Sequence, residues 1–375
     1  MLRKIMTYLF GFNMKSISLF FDGPQMGGIG ARNIDLANEF IRQGYRVTLL
    51  MLTMDGPRKN QLPKAAIIKE IGLVGSIGII RFLIDHFKKD KPDFVIVSNV
   101  MPGAIASIAK SLARGHFGLG VINRVDFERV SESYKTTLKG RVLYFIAPLF
   151  LRKYAKLIAL SHAARQGLAK YSKCALADIA VINDPIRLND EVSGDFEKEI
   201  LKWWCASGIK ILSVGRLDKL KNIESIIVAV KHLLDLDPKL LIVGGGPEKE
   251  SLEKLVERYG LQENVLFCGY VQAPAVFFKN SDFFISASLS EAFPNSVVEA
   301  VCAGCQVVSA DCNYGPREIL GDDEYGKLVP LKDPKAIAQA VRYLHKNPVP
   351  AQKLLARSKE YDPEFIANNI INILK

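Results

Sequence analysis

Short apolar strands alternate with helical stretches along two long segments of this sequence. The first segment has predicted strands at 16–21, 45–52, 94–98, 120–123 and 156–160. The second has predicted strands at 210–214, 240–243, 265–267, 283–285 and 306–309. Strands joined by helices and read as continuous apolar runs are typical of parallel sheets covered on both faces. The sequence therefore predicts an α/β fold with two doubly wound, Rossmann-like domains.

The domain boundaries follow from the same alternation. We expect an N-terminal domain over residues 1–190 and a C-terminal domain over 205–362, with a polar connector at 191–207. The 375 residues, of which 49% are hydrophobic, are enough for two cores of ordinary size. No apolar run reaches the ~20 residues that a membrane-spanning helix needs. The start lacks a small-residue cleavage site, so we expect a cytoplasmic protein.

The excess of positive over negative charge is confined to the first half of the chain. Residues 1–185 contain 27 Lys and Arg against 13 Asp and Glu, whereas the whole chain carries a net charge of +11. Such an excess favours an anionic surface as partner, either acidic phospholipid or an acidic lipid-linked saccharide. Nucleic acid ranks lower, because the cations form no single tract and no nucleic-acid-binding motif is present.

Two glutamates in the block 282–326 point to a ligand site. Glu291 and Glu299 flank the turn Ala292-Phe293-Pro294-Asn295, where Pro294 opens a predicted helix that ends before Gly304. Ligands of open α/β sheets bind beyond the carboxyl ends of the strands, where amides at a helix start attract anions and carboxylates accept from hydroxyls. We interpret this as a site for a polyol phosphate. The alternative is a solvated helix face.

This block resembles the E-x7-E signature of the retaining, GT-B-fold glycosyltransferases of family 4, also called glycosyl transferases group 1. The segments 315–320 and 325–330 resemble bacterial members that build surface polysaccharides and lipopolysaccharide. The resemblance implies two Rossmann-like domains facing across a cleft, with the final helix, about 363–375, returning to the first domain. It implies hexosyl transfer from a nucleotide diphosphate sugar, expected to be UDP-linked, to a lipid-linked, lipopolysaccharide or capsular saccharide. Such an enzyme would be peripheral on the inner face of the cytoplasmic membrane.

The same resemblance assigns catalytic roles to three residues. Arg216 and Lys221, in a segment that matches the family's G-R-L…K-N element, would stabilise the leaving diphosphate. Glu291 would hold hydroxyls of the transferred sugar. Without the resemblance, the two cations would be ordinary surface residues at a strand–helix turn.

Further residues would bind the donor or line the acceptor side. Glu299 would bond the ribose hydroxyls, and Tyr270 lies in what resembles the base-side loop, where plain packing is an equal alternative. The full donor-binding set is Gly28, Gly215, Gly269, Tyr270, Val271, Phe293, Asn295, Ser296 and Glu299. On the acceptor side we expect Gly27, Arg124 and Asp126, although relatives often have His at that strand end, and an Arg–Asp ion pair is the alternative.

No cofactor and no metal are expected. No D-x-D motif lies at the proposed donor site, and Cys302, Cys305 and Cys312 are interpreted as buried thiols because a fourth zinc ligand is missing at the usual spacing. The turn 244–246 lacks the G-x-G-x-x-G spacing, so we interpret it as a tight connection. The stretch 134–154 interleaves cations with aromatics and reads either as an interfacial amphipathic helix or as a core helix with a basic end.

Two rival functions remain open from the sequence. A nucleotide-sugar epimerase on the same fold would form product from donor alone. A non-catalytic saccharide-binding scaffold would lack one or more of the donor-binding groups, yet Arg216, Lys221, Glu291 and Glu299 are all present.

Overall fold

The computed structural model describes residues 14–25, 27–72, 74–125, 136–188, 195–204, 207–271 and 274–375. The chain divides into two compact units. Unit 1 consists of the residues up to Pro185 together with Pro363–Lys375, and unit 2 consists of Ile186–Asp362.

Unit 1 contains a seven-stranded sheet in which every pairing is parallel. Its strand order is β3-β2-β1-β4-β5-β6-β7. The strands are β1 (Ser16–Phe21), β2 (Arg46–Met51), β3 (Ile67–Glu70), β4 (Phe94–Ser98), β5 (Gly118–Asn123), β6 (Lys156–Ala159) and β7 (Ile179–Val181). The central strands β1 and β4 are buried along their whole length, because helices cover both faces of the sheet.

The helices that follow these strands form two groups. They are α1 (Gly28–Arg42), α2 (Ser76–Asp90), α3 (Val100–Ala113), α4 (Leu138–Tyr154) and α5 (His162–Ser172). Helices α2 to α5 pack side by side on one face of the sheet and share one hydrophobic core with strands β4 to β6. Helix α1 covers the opposite face. The sheet extends from β1 in both directions, and right-handed crossovers in opposite directions place their helices on opposite faces.

Unit 2 repeats this plan with six parallel strands in the order β10-β9-β8-β11-β12-β13. The strands are β8 (Lys210–Val214), β9 (Lys239–Val243), β10 (Val265–Gly269), β11 (Phe283–Ser286), β12 (Gln306–Ala310) and β13 (Lys327–Val329). The helices are α6 (Asp195–Trp204), α7 (Ile223–Lys231), α8 (Lys249–Arg258), α9 (Ala275–Lys279), α10 (Asn295–Ala303), α11 (Pro316–Leu320), α12 (Pro334–Lys346) and α13 (Ala351–Ser358).

The final helix, α14 (Pro363–Leu374), belongs to unit 1 rather than to the unit that precedes it. It packs against α1 and β5. Gly118 of β5 permits this approach, since a Cβ atom there would lie 2.4 Å from the carbonyl oxygen of Leu374. Arg42 of α1 also forms an ion pair with Glu364 of α14, at 2.5 Å.

The α/β prediction with two doubly wound sheets is confirmed, and two details differ from the sequence expectation. The polar connector predicted at 191–207 includes the helix α6, whose Trp204 is fully buried with its ring 5.8 Å from that of Phe277. Strands β3, β7 and β13 were not predicted. They are three or four residues long and only partly buried, whereas the central strands β1 and β4 are buried along their whole length.

Candidate active site

The predicted catalytic residues of unit 2 lie on loops beside the point where its strand order reverses. From β8 the chain continues to β9 and β10 on one side, whereas β11 to β13 extend on the other side. The loop after β8 contains Arg216 and Lys221, and the loop after β11 contains Glu291. Adjacent parallel strands place these two loops at the same edge of the sheet, where open α/β proteins bind ligands.

Direct contacts join the two loops. The Lys221 Nζ atom lies 2.5 Å from the Glu291 Oε1 atom, and both side chains are largely buried, with 25% and 13% of their surface exposed. The backbone amide of Leu289 donates to the carbonyl oxygen of Leu220 at 2.7 Å. The side-chain amide of Asn222 donates to the carbonyl oxygen of Ala287. The cation and the carboxylate are therefore held at a fixed separation.

Arg216 points outward from the same loop, and its side chain is 71% exposed. Its Nη2 atom lies 2.5 Å from Oδ2 of Asp218. The other carboxylate oxygen of Asp218 accepts from the backbone amides of Leu220 and Lys221 at 3.0 and 3.1 Å. Sequence reasoning did not single out Asp218. An Asp two residues before a pair of turn amides is the signal of an Asx turn, and it could have identified this residue.

The glycine turn after β9 packs directly against the backbone of the Arg216 loop. Gly244 has a φ of +144°, and a Cβ atom there would lie 1.8 Å from the carbonyl oxygen of Gly215. A Cβ atom on Gly246 would lie 2.3 Å from the carbonyl oxygen of Leu217, whose amide donates to Gly245. These glycines let two backbones touch. The arrangement agrees with the interpretation of this turn as a tight connection.

The start of α10 contributes a group with an open hydrogen-bonding position. The Oδ1 atom of Asn295 is buried and has no hydrogen-bond partner in the described part of the chain. Glu299, half-buried, lies four residues further along the helix and therefore on the same face. Phe293 is 6% exposed and packs into the interior, so that only its backbone could reach a ligand. Ser296, in the first turn, is half-buried.

The loop after β10 lies next to the glycine turn. The carbonyl oxygen of Gly269 accepts from the amide of Gly244 at 2.7 Å, and Gly269 has a φ of +75°. Tyr270 is 38% exposed, whereas Val271 is buried. The Tyr270 ring is therefore accessible at this edge, whereas the Val271 side chain is buried.

The glycine turn of unit 1 precedes α1. Gly27 has a φ of +100° and open space around its Cβ position, and Gly28 begins the helix. Arg32, in the second turn, is buried and donates to the carbonyl oxygen of Pro185 at 2.9 Å. This contact gives Arg32 a structural role.

Arg124 is a buried structural cation and does not line an open acceptor surface. Its Nε atom donates to Oδ1 of Asp184 at 2.7 Å, and its Nη1 atom donates to the Ser98 hydroxyl at 2.7 Å. Both members of the ion pair are almost fully buried. Asp184 is thus an ion-pair partner of Arg124. Asp126, the other residue predicted here, lies outside the described residues. The Nη2 atom of Arg124 is buried and has no hydrogen-bond partner among the residues that the structure describes.

Cys305 and Cys312 of unit 2 are buried free thiols, as expected, whereas Cys302 is only half-buried. Burial raises the pKa of Cys305 to about 12, and its Sγ atom lies 2.9 Å from the carbonyl oxygen of Phe278. Burial, with the nearby Glu291 carboxylate, raises the pKa of Cys312 to about 12. No cluster of three or more His, Cys, Asp or Glu side chains that could hold a metal occurs in the parts of the chain that the structure covers.

Comparisons with known families agree with the fold. Residues 206–364 match the family described as Glycosyl transferases group 1, and residues 26–190 match Glycosyltransferase Family 4. The chain belongs to the group 1 glycosyltransferases. It has the GT-B fold: it superposes on Anabaena HepE in complex with UDP with a TM-score of 0.79 at 18% identity, covering 96% of this chain and 99% of that one. The lipopolysaccharide outer core galactosyltransferase WaaB matches with a TM-score of 0.72 at 15% identity, covering 96% and 99% of the two chains.

Two curated relatives of this glycosyltransferase have names that refer to a diphospho-undecaprenol-linked saccharide and to the lipopolysaccharide core. An N-acetylgalactosamine-N,N'-diacetylbacillosaminyl-diphospho-undecaprenol 4-alpha-N-acetylgalactosaminyltransferase of Campylobacter jejuni is 34% identical over 44% of this chain and 46% of its own length. The lipopolysaccharide core biosynthesis glycosyltransferase LpsD of Rhizobium meliloti is 29% identical over 41% and 44%. The matched region thus spans less than half of each of these relatives.

Proposed function

We propose that this protein is a retaining, metal-independent glycosyltransferase that uses a UDP-linked sugar. The observation that carries the proposal is the contact between Lys221 and Glu291, with Arg216 on the same loop, at the strand-order reversal of unit 2. At this position a cation can bind the diphosphate of a nucleotide sugar, and a carboxylate can bind the hydroxyls of its sugar. Lys221 and Arg216 face the diphosphate, whose negative charge grows as the glycosidic bond breaks, and Glu291 accepts from sugar hydroxyls.

The nucleoside part would extend along the same edge. Glu299 accepts from the ribose hydroxyls, and the buried Oδ1 atom of Asn295, on the same face of α10, accepts from the ligand the hydrogen bond that no described residue donates to it. An unsatisfied buried acceptor costs about 1–3 kcal/mol, so a donor group from the ligand there adds to affinity. Tyr270 and Gly269 lie at the end of β10 and contact the base. HepE binds UDP in its crystal structure, which supports uridine as the base.

In the proposed step, the bond between the anomeric carbon and the phosphate oxygen breaks. A bond to the acceptor oxygen then forms on the same face of the sugar. The departing phosphate oxygen takes the acceptor's proton, so no side chain has to act as base. Lys221 and Arg216 hold the charge of the leaving diphosphate, which accounts for a reaction without a metal ion.

The acceptor we propose is a lipid-linked, lipopolysaccharide or capsular saccharide at the inner face of the cytoplasmic membrane. The curated relatives named above act on such saccharides, and unit 1 carries the positive excess that suits an anionic surface. None of the described helices is long and apolar enough to cross a bilayer. Association at the surface is therefore the form proposed.

The test is a transfer assay with UDP-sugars and saccharide acceptors carried on polyprenyl diphosphate or lipid A, in the presence of EDTA. We expect UDP release that depends on acceptor and a product with the donor's anomeric configuration by NMR. A new sugar formed from donor alone would support the epimerase instead. An inverted product would contradict the retaining mechanism.

A further inference from the structure

Helix α4 of unit 1 has apolar side chains on two opposite faces. One face packs into the core through Leu143, Ala147 and Leu151. The opposite face exposes a row of large apolar side chains with the spacing i, i+4, i+7 and i+11, which places them on one line along the helix. These are Leu138, Val142, Phe145 and Leu149, with 77%, 54%, 72% and 63% of their surfaces exposed. We call this row the α4 stripe.

A compensating hydrogen bond holds this helix to the core despite a proline within it. Pro148 has no amide hydrogen, so the carbonyl oxygen of Tyr144 loses its usual partner four residues on. The hydroxyl of Tyr171, on α5, donates to that carbonyl oxygen at 2.9 Å, and the two tyrosine rings lie 4.9 Å apart. The α4 stripe is therefore presented by a helix that is anchored on its other side.

The end of α4 leads into a strongly cationic cleft. The cleft has a volume of about 1010 Å³ and lies at the amino ends of β1, β4, β5 and β6, the edge of the sheet opposite to Gly27 and Arg124. Nine Lys and Arg residues line it, and the lining includes one acidic side chain, Asp93, whose carboxylate already accepts from the amide and hydroxyl of Ser16. We call it the basic cleft.

The stripe and the cleft form one continuous surface. Arg152 and Lys153, both exposed, lie in the last turn of α4 and line the basic cleft. Arg152 follows Phe145 by seven residues and Leu149 by three, so it continues the line of the α4 stripe. A helix with large apolar side chains on one face and cations at its end is typical of binding in the plane of a membrane interface.

We propose that the α4 stripe and the basic cleft dock unit 1 onto a bilayer that contains anionic phospholipid. The apolar side chains enter the boundary between headgroups and acyl chains, and the cations of the cleft contact lipid phosphates. This inference rests on the proposed function for its purpose, the delivery of a lipid-linked acceptor. Its physical basis, nine cations beside an exposed apolar row, does not depend on that function.

The geometry gives the docking a direction. Helix α4 connects the carboxyl end of β5 to the amino end of β6, so it runs the full depth of the sheet from Leu138 to Tyr154. A membrane along the α4 stripe would therefore lie parallel to α4 and extend from the amino edge of the sheet, with the basic cleft, to its carboxyl edge. The carboxyl edge, which contains the glycine turn at Gly27, would then lie next to the lipid surface.

The experiment is flotation of the full-length protein with vesicles of phosphatidylglycerol and phosphatidylcholine in equal parts, compared with vesicles of pure phosphatidylcholine. We expect binding to the mixed vesicles only, weakened strongly between about 0.05 and 0.5 M salt, because salt screens exposed charges. The variant Lys88→Gln/Arg114→Gln/Arg152→Gln should bind on the order of 100-fold more weakly, since each cation near an anionic surface contributes a several-fold effect. The variant Phe145→Ser/Leu149→Ser should lose at least about tenfold.

Matched controls separate this inference from general damage and from the proposed function. Phe365→Ser changes an exposed aromatic side chain on α14, which packs with α1 away from the α4 face, and should float like the wild type. UDP binding, measured by thermal shift, should be the same in all variants. Equal binding to phosphatidylcholine alone, no flotation of the wild type, or full flotation of either multiple variant would overturn the inference, while UDP binding would still report on the donor site.

Discussion

Lys221 and Glu291 lie 70 positions apart in the sequence, yet their side chains meet at 2.5 Å. The contact connects the loops that follow β8 and β11, the two neighbouring strands at which the order of the unit 2 sheet reverses. Desolvating a largely buried ion pair costs free energy, so its presence at a ligand-binding edge favours a functional role. The proposed purpose is to recognise the diphosphate and the sugar together.

Glu291→Gln should separate catalysis from nucleotide binding. Glutamine keeps the size of the side chain but removes the charge that faces Lys221. We expect turnover to fall by about 10²–10³-fold, as for the loss of one electrostatic contact to a transition state. The affinity for UDP should change by less than about fivefold, because UDP carries no transferred sugar. Initial rates and calorimetric titration with UDP measure the two effects, and equal losses in both would contradict the role given to Glu291.

Asp218 should act as a positioning residue for the Arg216 loop. Asp218→Ala removes the acceptor for the amides of Leu220 and Lys221, and we expect the free energy of unfolding to fall by about 1–2 kcal/mol. Asp218→Asn keeps an oxygen at this position and should lose less than half of that amount. Urea denaturation of both variants tests this. Equal losses would mean that the ion pair with Arg216, and not the turn, accounts for the effect.

Gly244 and Gly245 offer a matched pair of alanine substitutions. Gly244→Ala places a Cβ atom against the carbonyl oxygen of Gly215 in a backbone region that L side chains rarely adopt. It should destabilise the protein by at least about 2 kcal/mol and weaken UDP binding. Gly245→Ala has open space around its Cβ position, so its effect should stay within about 0.5 kcal/mol. Thermal melts with and without UDP check both expectations, and similar melting temperatures would contradict the account of this turn.

His86 should make stability depend on pH. Its ring is buried between the Ser18 hydroxyl, at 2.9 Å, and the Asp90 carboxylate, which also binds Lys69. Burial lowers the pKa of His86 below its ordinary value of 6.5, and the charge of Asp90 only partly offsets this effect. The unfolded chain therefore binds the proton first as the pH falls below about 6.5, and stability is lost at up to about 1.4 kcal/mol per pH unit.

The measurement is denaturant unfolding between about pH 7.5 and 5, above the range in which Asp90, whose pKa is lowered below 3.8, takes up a proton. His86→Gln should flatten the slope, whereas His116→Gln, at an exposed position of the same unit, should leave it unchanged. A wild-type slope that persists in His86→Gln would assign the effect to another group.

The sequence predicts the central parts of this fold well, because strands such as β4 and β11 are buried on both faces and appear as apolar runs. It misses β3 and β13, whose residues at the sheet edge are half exposed. Arg216, Lys221 and Glu291 are identified through their resemblance to a family pattern. The pairing of Arg124 with Asp184 is not predictable in this way, because it joins loops 60 positions apart and carries no local periodicity.

The most direct test of the donor site is the stabilisation of the protein by UDP in the presence of EDTA, for the wild type and for Arg216→Ala and Lys221→Ala. At a hundred times its dissociation constant, UDP should stabilise the wild type by about 2.7 kcal/mol. This corresponds to a rise of several degrees in melting temperature, and both variants should lose most of it. No shift in the wild type, a shift that requires a divalent metal ion, or an undiminished shift in both variants would contradict the account.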